Sequence, residues 1–199
     1  MNNAKGSHKG YEGVAFVVGD DIDTDRILPG RYLTLTDTRK LGECVFSNNP
    51  EIAIRIKPGT ILVAGKNFGC GSSREGAPVA LKSAGMQVII AESFARIFYR
   101  NAVNIGLIPI ECLGITKHVS TPDTIKIYIK EGKIANISRR TEHAFPAIHP
   151  HILSIINAGG LVEYIRHEKK YENHKKHQYE ANLKNNRGFI PDRKEDKNE

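Results

Sequence analysis

The chain has 199 residues, 40% of them hydrophobic and 26% charged, a balance typical of a globular domain large enough to bury its own core. No run approaches the ~18 consecutive apolar residues of a membrane helix, and the N-terminal MNNAKGSHKG has no apolar stretch typical of a signal peptide. The formal net charge of +7 is spread along the chain without an aromatic-rich nucleic-acid motif. We therefore expect a cytoplasmic protein that binds an acidic substrate or partner rather than nucleic acid or a membrane.

Short apolar runs typical of strands alternate with stretches of helical spacing through most of the chain. The predicted strands span 13–18, 60–64, 87–91, 107–110, 124–129 and 133–137. The predicted helices span 37–46, about 76–84, 93–104 and 150–157. The order strand–helix–strand–helix–strand over 60–110 predicts a parallel α/β unit, and Glu131-Gly132 predicts a hairpin that adds an antiparallel part. Residues 19–36, rich in Asp, Thr and Gly, predict a long ordered loop, and loops of that length are usually functional or disordered.

Composition divides the chain into three parts. We expect a flexible N-terminus at 1–12, one domain at 13–166 and a charged tail at 167–199. Apolar residues nearly vanish in the tail, so it cannot bury enough surface to offset the entropy lost on ordering. The tail is therefore expected to be disordered or a lone helix near 169–184.

The three cysteines, Cys44, Cys70 and Cys112, are scattered along the chain. None belongs to a CxxC pair, and an odd, sparse set fits neither a disulfide framework nor a structural zinc site. An iron–sulfur cluster normally needs grouped thiolates. The sequence therefore predicts reduced thiols and no metal or cluster bound by this chain itself.

The strongest chemical signal is the segment 65–75, GKNFGCGSSRE, which follows a predicted strand and precedes a predicted helix. Its glycines allow tight turns and close approach to a ligand. The N-terminus of the helix favours an anion, and Arg74 supplies a bidentate donor for a carboxylate. The hydroxyls of Ser72 and Ser73 could bind substrate or, when deprotonated, act as a base. The segment is neither a phosphate-binding P-loop nor the nucleophile elbow of a hydrolase.

Ser72 and Glu75 also fit a capping box, in which Ser72 would be purely structural. Pro78 disfavours this alternative, because a helix counted from Ser72 would place the proline in its interior at a cost of about 3 kcal/mol. With Glu75 as the N-cap, Pro78 falls in the first turn, where its missing N–H matters little. That second arrangement leaves the serines in a loop; from the residues alone, both alternatives stay open.

Two further segments are polar without pointing to one function. The acidic stretch 20–25, DDIDTD, suggests calcium but lacks the glycine and the closing glutamate of an EF-hand, and such residues also cap turns. In 93–101, Arg96 and Arg100 lie four residues apart on one predicted helix face. The pair is explained either by a helix face exposed to solvent or by a site that meets an anion or an acidic partner.

Four motifs together resemble, in order and spacing, the small swivelling domain of the aconitase superfamily. They are GDDIDTDRILP at 19–29, GKNFGCGSSRE at 65–75, AESFARIFYRN at 91–101 and NIGLIPI at 104–110. The resemblance covers roughly 13–165 and implies an α/β fold, the three-layer β/β/α swivelling domain. The short form of the chain resembles the separate small subunits of the two-subunit members, 3-isopropylmalate dehydratase and homoaconitase.

The resemblance implies a hydro-lyase that is active only with an aconitase-like large subunit, in a heterodimer or heterotetramer. The large subunit would carry a [4Fe-4S] cluster, and the substrate would be a small hydroxy-di- or tricarboxylate. Ser72 matches the serine that serves as alkoxide base, and Ser73 and Arg74 match residues that bind substrate carboxylate. Thr24 and Asp25 match the Thr-Asp pair of the first loop, in which the aspartate supports the hydrogen-bond network of the active site.

Resemblance also implies that substrate choice depends on the loop that begins Tyr32-Leu33. Homoaconitase-type chains carry an arginine at the next position, where this chain has Thr34 followed by Leu35. A carboxylate left unpaired there is costly, whereas a branched alkyl group gains about 0.8 kcal/mol per buried methylene. Isopropylmalate is the predicted substrate; citramalate, dimethylmalate and homoaconitate, and an RNA-binding regulatory role, are the alternatives.

Overall fold

The computed structural model describes residues 10–72, 75–171 and 175. The predicted site residues Ser73 and Arg74 lie outside these ranges, as do most of the two terminal segments predicted to be flexible. Among the described residues, no helix is both long and apolar enough to span a lipid bilayer.

One mixed sheet of seven strands organises the domain, in the order β4-β3-β2-β1-β5-β6-β7. The strands are β1 (Tyr11–Val17), β2 (Thr60–Ala64), β3 (Val88–Ala91), β4 (Ile108–Glu111), β5 (Thr124–Tyr128), β6 (Lys133–Asn136) and β7 (Thr141–Ala144). Strands β1 to β4 pair in parallel, whereas β5, β6 and β7 extend the sheet antiparallel from the other edge of β1. The parallel unit over 60–110 and the later hairpin are therefore confirmed.

The helices connect the strands and pack against the sheet. They are α1 (Thr24–Ile27), α2 (Thr38–Glu43), α3 (Pro50–Ala53), α4 (Gly76–Ser83), α5 (Arg96–Asn104) and α6 (Pro150–Asn157), with 3-10 turns at Gly30–Tyr32 and Ile115–Lys117. Residues 161–171 are also helical. The long loop expected at 19–36 thus contains α1 and a 3-10 turn. One of its acidic residues, Asp23, is the N-cap of α1.

Alternate side chains of the parallel strands enter two different cores, because successive residues of a strand point to opposite faces. Leu62 and Ile89 join the core formed with the helices. Val63 and Ile90 join the second core, together with Ile125 of the antiparallel half. The sheet therefore curls over itself, so that its antiparallel half, together with α6, covers one face of the parallel half, whereas α1 to α4 and much of α5 cover the other. This is the layered α/β fold implied by the family resemblance.

The strand β1 begins at Tyr11, two residues before the predicted start of the domain at residue 13. Tyr11 pairs with Ile127 of β5, and Glu12 pairs with Lys126, whose Nζ lies 3.1 Å from the glutamate carboxylate. Pairing with a distant strand thus orders two residues that have no apolar pattern of their own. At the other end, the helix at 161–171 crosses the predicted boundary at 166.

Strand β7 is absent from the sequence prediction. Its residues, TEHA, are mostly exposed and form the edge of the sheet, so they lack the apolar alternation that marks a half-buried strand. The backbone bonds to β6, and not the side chains, define this strand.

Candidate active site

The segments that follow β1 and β2 run side by side beyond the carboxyl ends of the strands. Four backbone hydrogen bonds of 2.7–3.1 Å join them, from Gly65 to Gly19, from Asp21 to Lys66, from Gly69 to Ile22 and from Thr24 to Cys70. This loop ladder, 19–24 against 65–70, continues the parallel pairing of the sheet into the motifs singled out from the sequence.

Ser72 lies at the far end of the loop ladder and is exposed. Thr24, only 2% exposed, donates its hydroxyl to the backbone oxygen of Ser72 at 3.2 Å. The two hydroxyl oxygens lie 3.5 Å apart, and either one can be the donor. A buried threonine therefore holds the backbone of an exposed serine. Asp25, also exposed, occupies the first turn of α1 directly after Thr24.

The helix α4 begins at Gly76 with Glu75 as its N-cap residue, so Ser72 is in the loop and does not cap the helix. Pro78 is consequently the third helical residue, where the missing N–H removes no helical hydrogen bond. The arrangement that leaves Ser72 available to a ligand is the one that the structure has.

A third loop, which follows β3, supports the loop ladder from the other side. Phe68 donates its backbone N–H to the carbonyl of Ser93 at 3.0 Å and accepts from Ala95 at 2.9 Å. The Phe68 ring packs edge-on against Phe98 of α5, with centroids 5.2 Å apart. Gly69 sits so close to that ring that a Cβ there would lie 2.2 Å from a Phe98 carbon. The glycine thus lets the loop rest directly on the aromatic core.

The carboxylates of 20–25 bind backbone and side-chain donors of the site. Asp20 accepts the N–H of Lys66 at 2.7 Å, and Asp23 accepts the N–H of Arg26 at 2.6 Å, which caps α1. Within the described residues, no group of three or more His, Cys, Asp or Glu side chains is arranged to hold a metal ion. Asp20 and Asp23 of the acidic stretch are therefore part of the loop architecture.

The three cysteines lie in three separate elements. Cys44 follows α2, Cys70 lies in the loop ladder and Cys112 is buried after β4. Burial raises the pKa of the Cys70 thiol, and the carboxylates of Asp21 and Asp23 raise it further. Cys70 is therefore a protonated thiol at neutral pH and a weak nucleophile, although it lies in the loop ladder near Ser72.

The loop 30–36, implicated in substrate choice, rests on the N-terminus of α4. A Cβ at Gly76 would lie 3.3 Å from a terminal methyl of Leu33, which places this leucine over the first residue of the helix. Leu33 is 42% exposed and Thr34 is exposed, whereas Leu35 is half-buried and packs against the core. Sequence reasoning named Leu35 as the apolar contact for substrate; Leu33 is the leucine that offers more open surface.

The two arginines near this loop are already engaged. The guanidinium of Arg31 lies 4.6 Å over the Tyr32 ring and donates to the Ser47 hydroxyl at 3.3 Å. A side-chain hydrogen bond from Arg31 to Tyr32 lowers the pKa of the Tyr32 hydroxyl. Arg39 lies 3.8 Å from the Asp37 carboxylate, at a strongly exposed position. These contacts of the two guanidinium groups are with Tyr32, Ser47 and Asp37, and none of them is with Thr34.

The fold brings the predicted residues Thr24, Asp25 and Ser72 together, and it seats the Thr34 loop on the helix that follows Ser72. Sequence reasoning missed two residues that hold the site, Asn67 and Ser93. The signal for Asn67 was its place between glycines, where a left-handed backbone favours asparagine.

The chain is similar to known proteins over most of its length. A family model described as the aconitase C-terminal domain matches residues 27–114. The 3-isopropylmalate dehydratase small subunit 1 of Methanopyrus kandleri is 46% identical over 157 residues, which are 78% of this chain and 92% of that protein. The isopropylmalate/citramalate isomerase small subunit of Methanocaldococcus jannaschii is 44% identical over 156 residues, which are 78% of this chain and 93% of that protein.

This chain belongs to the family of 3-isopropylmalate dehydratase small subunits. A crystal structure of 3-isopropylmalate dehydratase from Methanocaldococcus jannaschii matches it with a TM-score of 0.79 at 39% identity, over 83% of this chain and 99% of that chain. The aconitase-type resemblance and the α/β fold predicted from the four motifs are thereby confirmed.

The contact between Gly69 and the Phe98 ring predicts a specific loss of stability. In Gly69→Ala, the methyl group would clash with Phe98 and the residue would keep a left-handed φ of +77°, so we expect unfolding to become easier by about 2–4 kcal/mol. Gly71→Ala is the matched control, because its φ is +91° but its Cβ has 3.5 Å to the nearest atom. Strain alone should cost it about 1–2 kcal/mol. Urea unfolding measures both, and equal losses would contradict the clash.

Proposed function

We propose that this chain is the small subunit of 3-isopropylmalate dehydratase, the hydro-lyase that interconverts 2- and 3-isopropylmalate by dehydration and rehydration in leucine biosynthesis. The observation that carries the proposal is identity of 42–47% to curated small subunits of that name, over most of the chain. The position of Ser72, in an open loop beside Thr24, supports it independently.

The partner we propose is an aconitase-like large subunit, in a heterodimer or heterotetramer. It would carry the [4Fe-4S] cluster, since the cysteines of this chain lie in three separate elements and do not supply a cluster's ligands. The small subunit would then contribute a base and carboxylate-binding groups to a site that is completed only in the complex.

In this proposal Ser72 is the base that removes the proton from the carbon next to a substrate carboxylate. Ser73 and Arg74 bind substrate carboxylate, for which a planar guanidinium is suited because it donates two parallel hydrogen bonds. Thr24 fixes the Ser72 backbone through the 3.2 Å bond, and Asp25 supports the surrounding hydrogen-bond network. The N-terminus of α4, which begins four residues after Ser72, adds positive potential that favours an alkoxide.

The substrate is proposed to bind with its isopropyl group toward the loop 30–36. Leu33, Thr34 and Leu35 offer apolar and hydroxyl groups there; Leu33 is the more exposed leucine, and Leu35 also packs against the core. Citramalate is the second candidate, because one relative is an isopropylmalate/citramalate isomerase small subunit and the alkyl end of citramalate is also small.

The first prediction concerns the complex. The isolated chain should show neither dehydratase activity nor the visible absorbance of an iron–sulfur cluster, and mixing it with a purified 3-isopropylmalate dehydratase large subunit should produce turnover of 3-isopropylmalate. Citramalate, assayed in parallel, decides between the two substrates. Tight, salt-sensitive RNA binding by the isolated chain without any activity in the mixture would favour the regulatory alternative.

The second prediction concerns the base. Ser72→Ala should lower kcat of the reconstituted complex by at least about 10²–10⁴-fold, because no other group replaces the proton acceptor. The unfolding midpoint should hardly change, since the Ser72 side chain is exposed. Ser83→Ala, at an exposed serine at the other end of α4, is the control and should retain full activity. A Ser72→Ala complex with near-normal kcat would refute the assignment.

The third prediction concerns the specificity loop. Thr34→Arg should raise kcat/KM for homoaconitate relative to 3-isopropylmalate, because a guanidinium would pair with the extra carboxylate. Without that cation the wild-type complex should strongly prefer 3-isopropylmalate. Thr36→Arg, at an exposed position two residues later, is the matched control for added charge. Wild-type turnover of homoaconitate equal to that of 3-isopropylmalate would show that the loop does not select the substrate.

A further inference from the structure

One hydrogen-bonded junction links the loops that follow β1, β2 and β3, and the roles proposed above do not use it. The Asn67 side-chain amide donates to the Asp21 carboxylate at 2.8 Å. The Asn67 backbone N–H donates to the Ser93 hydroxyl at 2.9 Å. One residue of the middle loop therefore bonds to both neighbouring loops.

The backbone conformations at this junction match its side chains. Asp21 and Asn67 are both left-handed, with φ of +51° and +58°. That conformation is unfavourable for most side chains, and Asn and Asp are the non-glycine residues that tolerate it best. Two such residues that face each other through a side-chain hydrogen bond persist only where the surroundings hold both in place.

The position of the junction relates it to Ser72. Asn67 lies where the loop ladder leaves the sheet, and Ser72 lies five residues later. Between them, the bonds from Gly69 to Ile22 and from Thr24 to Cys70 keep the two segments in register. A shift at the start of the loop ladder would therefore move the serine, and misplacing a catalytic group by about 1 Å can cost on the order of 10² in rate.

We propose that Asp21 and Asn67 are positioning residues for the reacting serine, acting through the register of the loop ladder. The inference rests on the proposed function, because it needs Ser72 to be the base. It gives two exposed polar residues a role in turnover without any contact with substrate. A positioning role should lower kcat and leave KM nearly unchanged, because binding groups elsewhere in the site keep their places.

The test exchanges the donor and the acceptor of the pair in the reconstituted complex. Asn67→Asp sets two carboxylates against each other while keeping a residue that tolerates the left-handed backbone, so kcat for 3-isopropylmalate should fall about tenfold to hundredfold. The double variant Asp21→Asn/Asn67→Asp again has one amide donor and one carboxylate acceptor, and it should recover most of the lost kcat. Asn157→Asp, at an exposed position on α6, is the control for the added charge and should keep wild-type kcat.

The possible outcomes separate the positioning role from the proposed function. An unchanged kcat in Asn67→Asp, or a loss that the double variant does not repair, would overturn the inference while leaving the proposed function intact. A wild-type complex without turnover would overturn the proposed function, and the inference with it. If Asn67→Asp does not assemble, Asn67→Gly replaces it, because glycine adopts the same backbone without strain but has no amide. Wild-type kcat in that variant would equally refute the positioning role.

Discussion

The close contact between the Gly69 backbone and the Phe98 ring is the constraint on which the site depends. A residue with a Cβ would not fit there, so the loop after β2 can lie on the aromatic core only because this position is glycine. The rings of Phe68, Phe94 and Phe98 form the platform, with centroids 5.2–6.0 Å apart. Once the loop lies flat on that platform, its backbone groups face the neighbouring loops and the loop ladder forms.

The loop ladder explains how two carboxylates of the acidic stretch are used. A loop outside a sheet leaves backbone N–H groups that need acceptors. Asp20 and Asp23 supply them at 2.6–2.7 Å, one across the two segments and one at the start of α1. These two carboxylates therefore fix backbone groups, and in the proposed function the chemistry belongs to Ser72, beyond the end of the loop ladder.

Sequence predicted those features that depend on local pattern. Pro78 favoured a helix that starts after Glu75 and leaves Ser72 in the loop, because proline is tolerated in the first turn and excluded from the interior, although the residues alone left the capping box open. The apolar strands of the parallel unit could also be predicted, since burial on both faces leaves a continuous apolar run in the sequence. Strand β7 was not, because an exposed edge strand has no apolar side whose period could reveal it.

Contacts between residues far apart in the sequence could not be predicted, because no local pattern indicates them. Whether Leu33 or Leu35 offers open surface depends on how the loop 30–36 meets α4, a helix that begins forty residues later. The bond between Asp21 and Asn67 likewise joins residues 46 positions apart. Both are consequences of the parallel order β1, β2, β3, which brings the carboxyl ends of distant strands to one edge, where α/β proteins commonly bind ligands.

The exposure of Ser72 explains why a base at this position requires a partner. An alkoxide open to water would be protonated at neutral pH, because solvent competes for it and weakens every favourable interaction with nearby positive charge. Covering the surface that carries Ser72 and Thr34 would exclude that water and strengthen the effect of the α4 N-terminus and of the substrate-binding cations. In the proposed function the chain is therefore one half of an active site, which the loop ladder shapes in advance and which becomes chemically competent only when the large subunit closes over it.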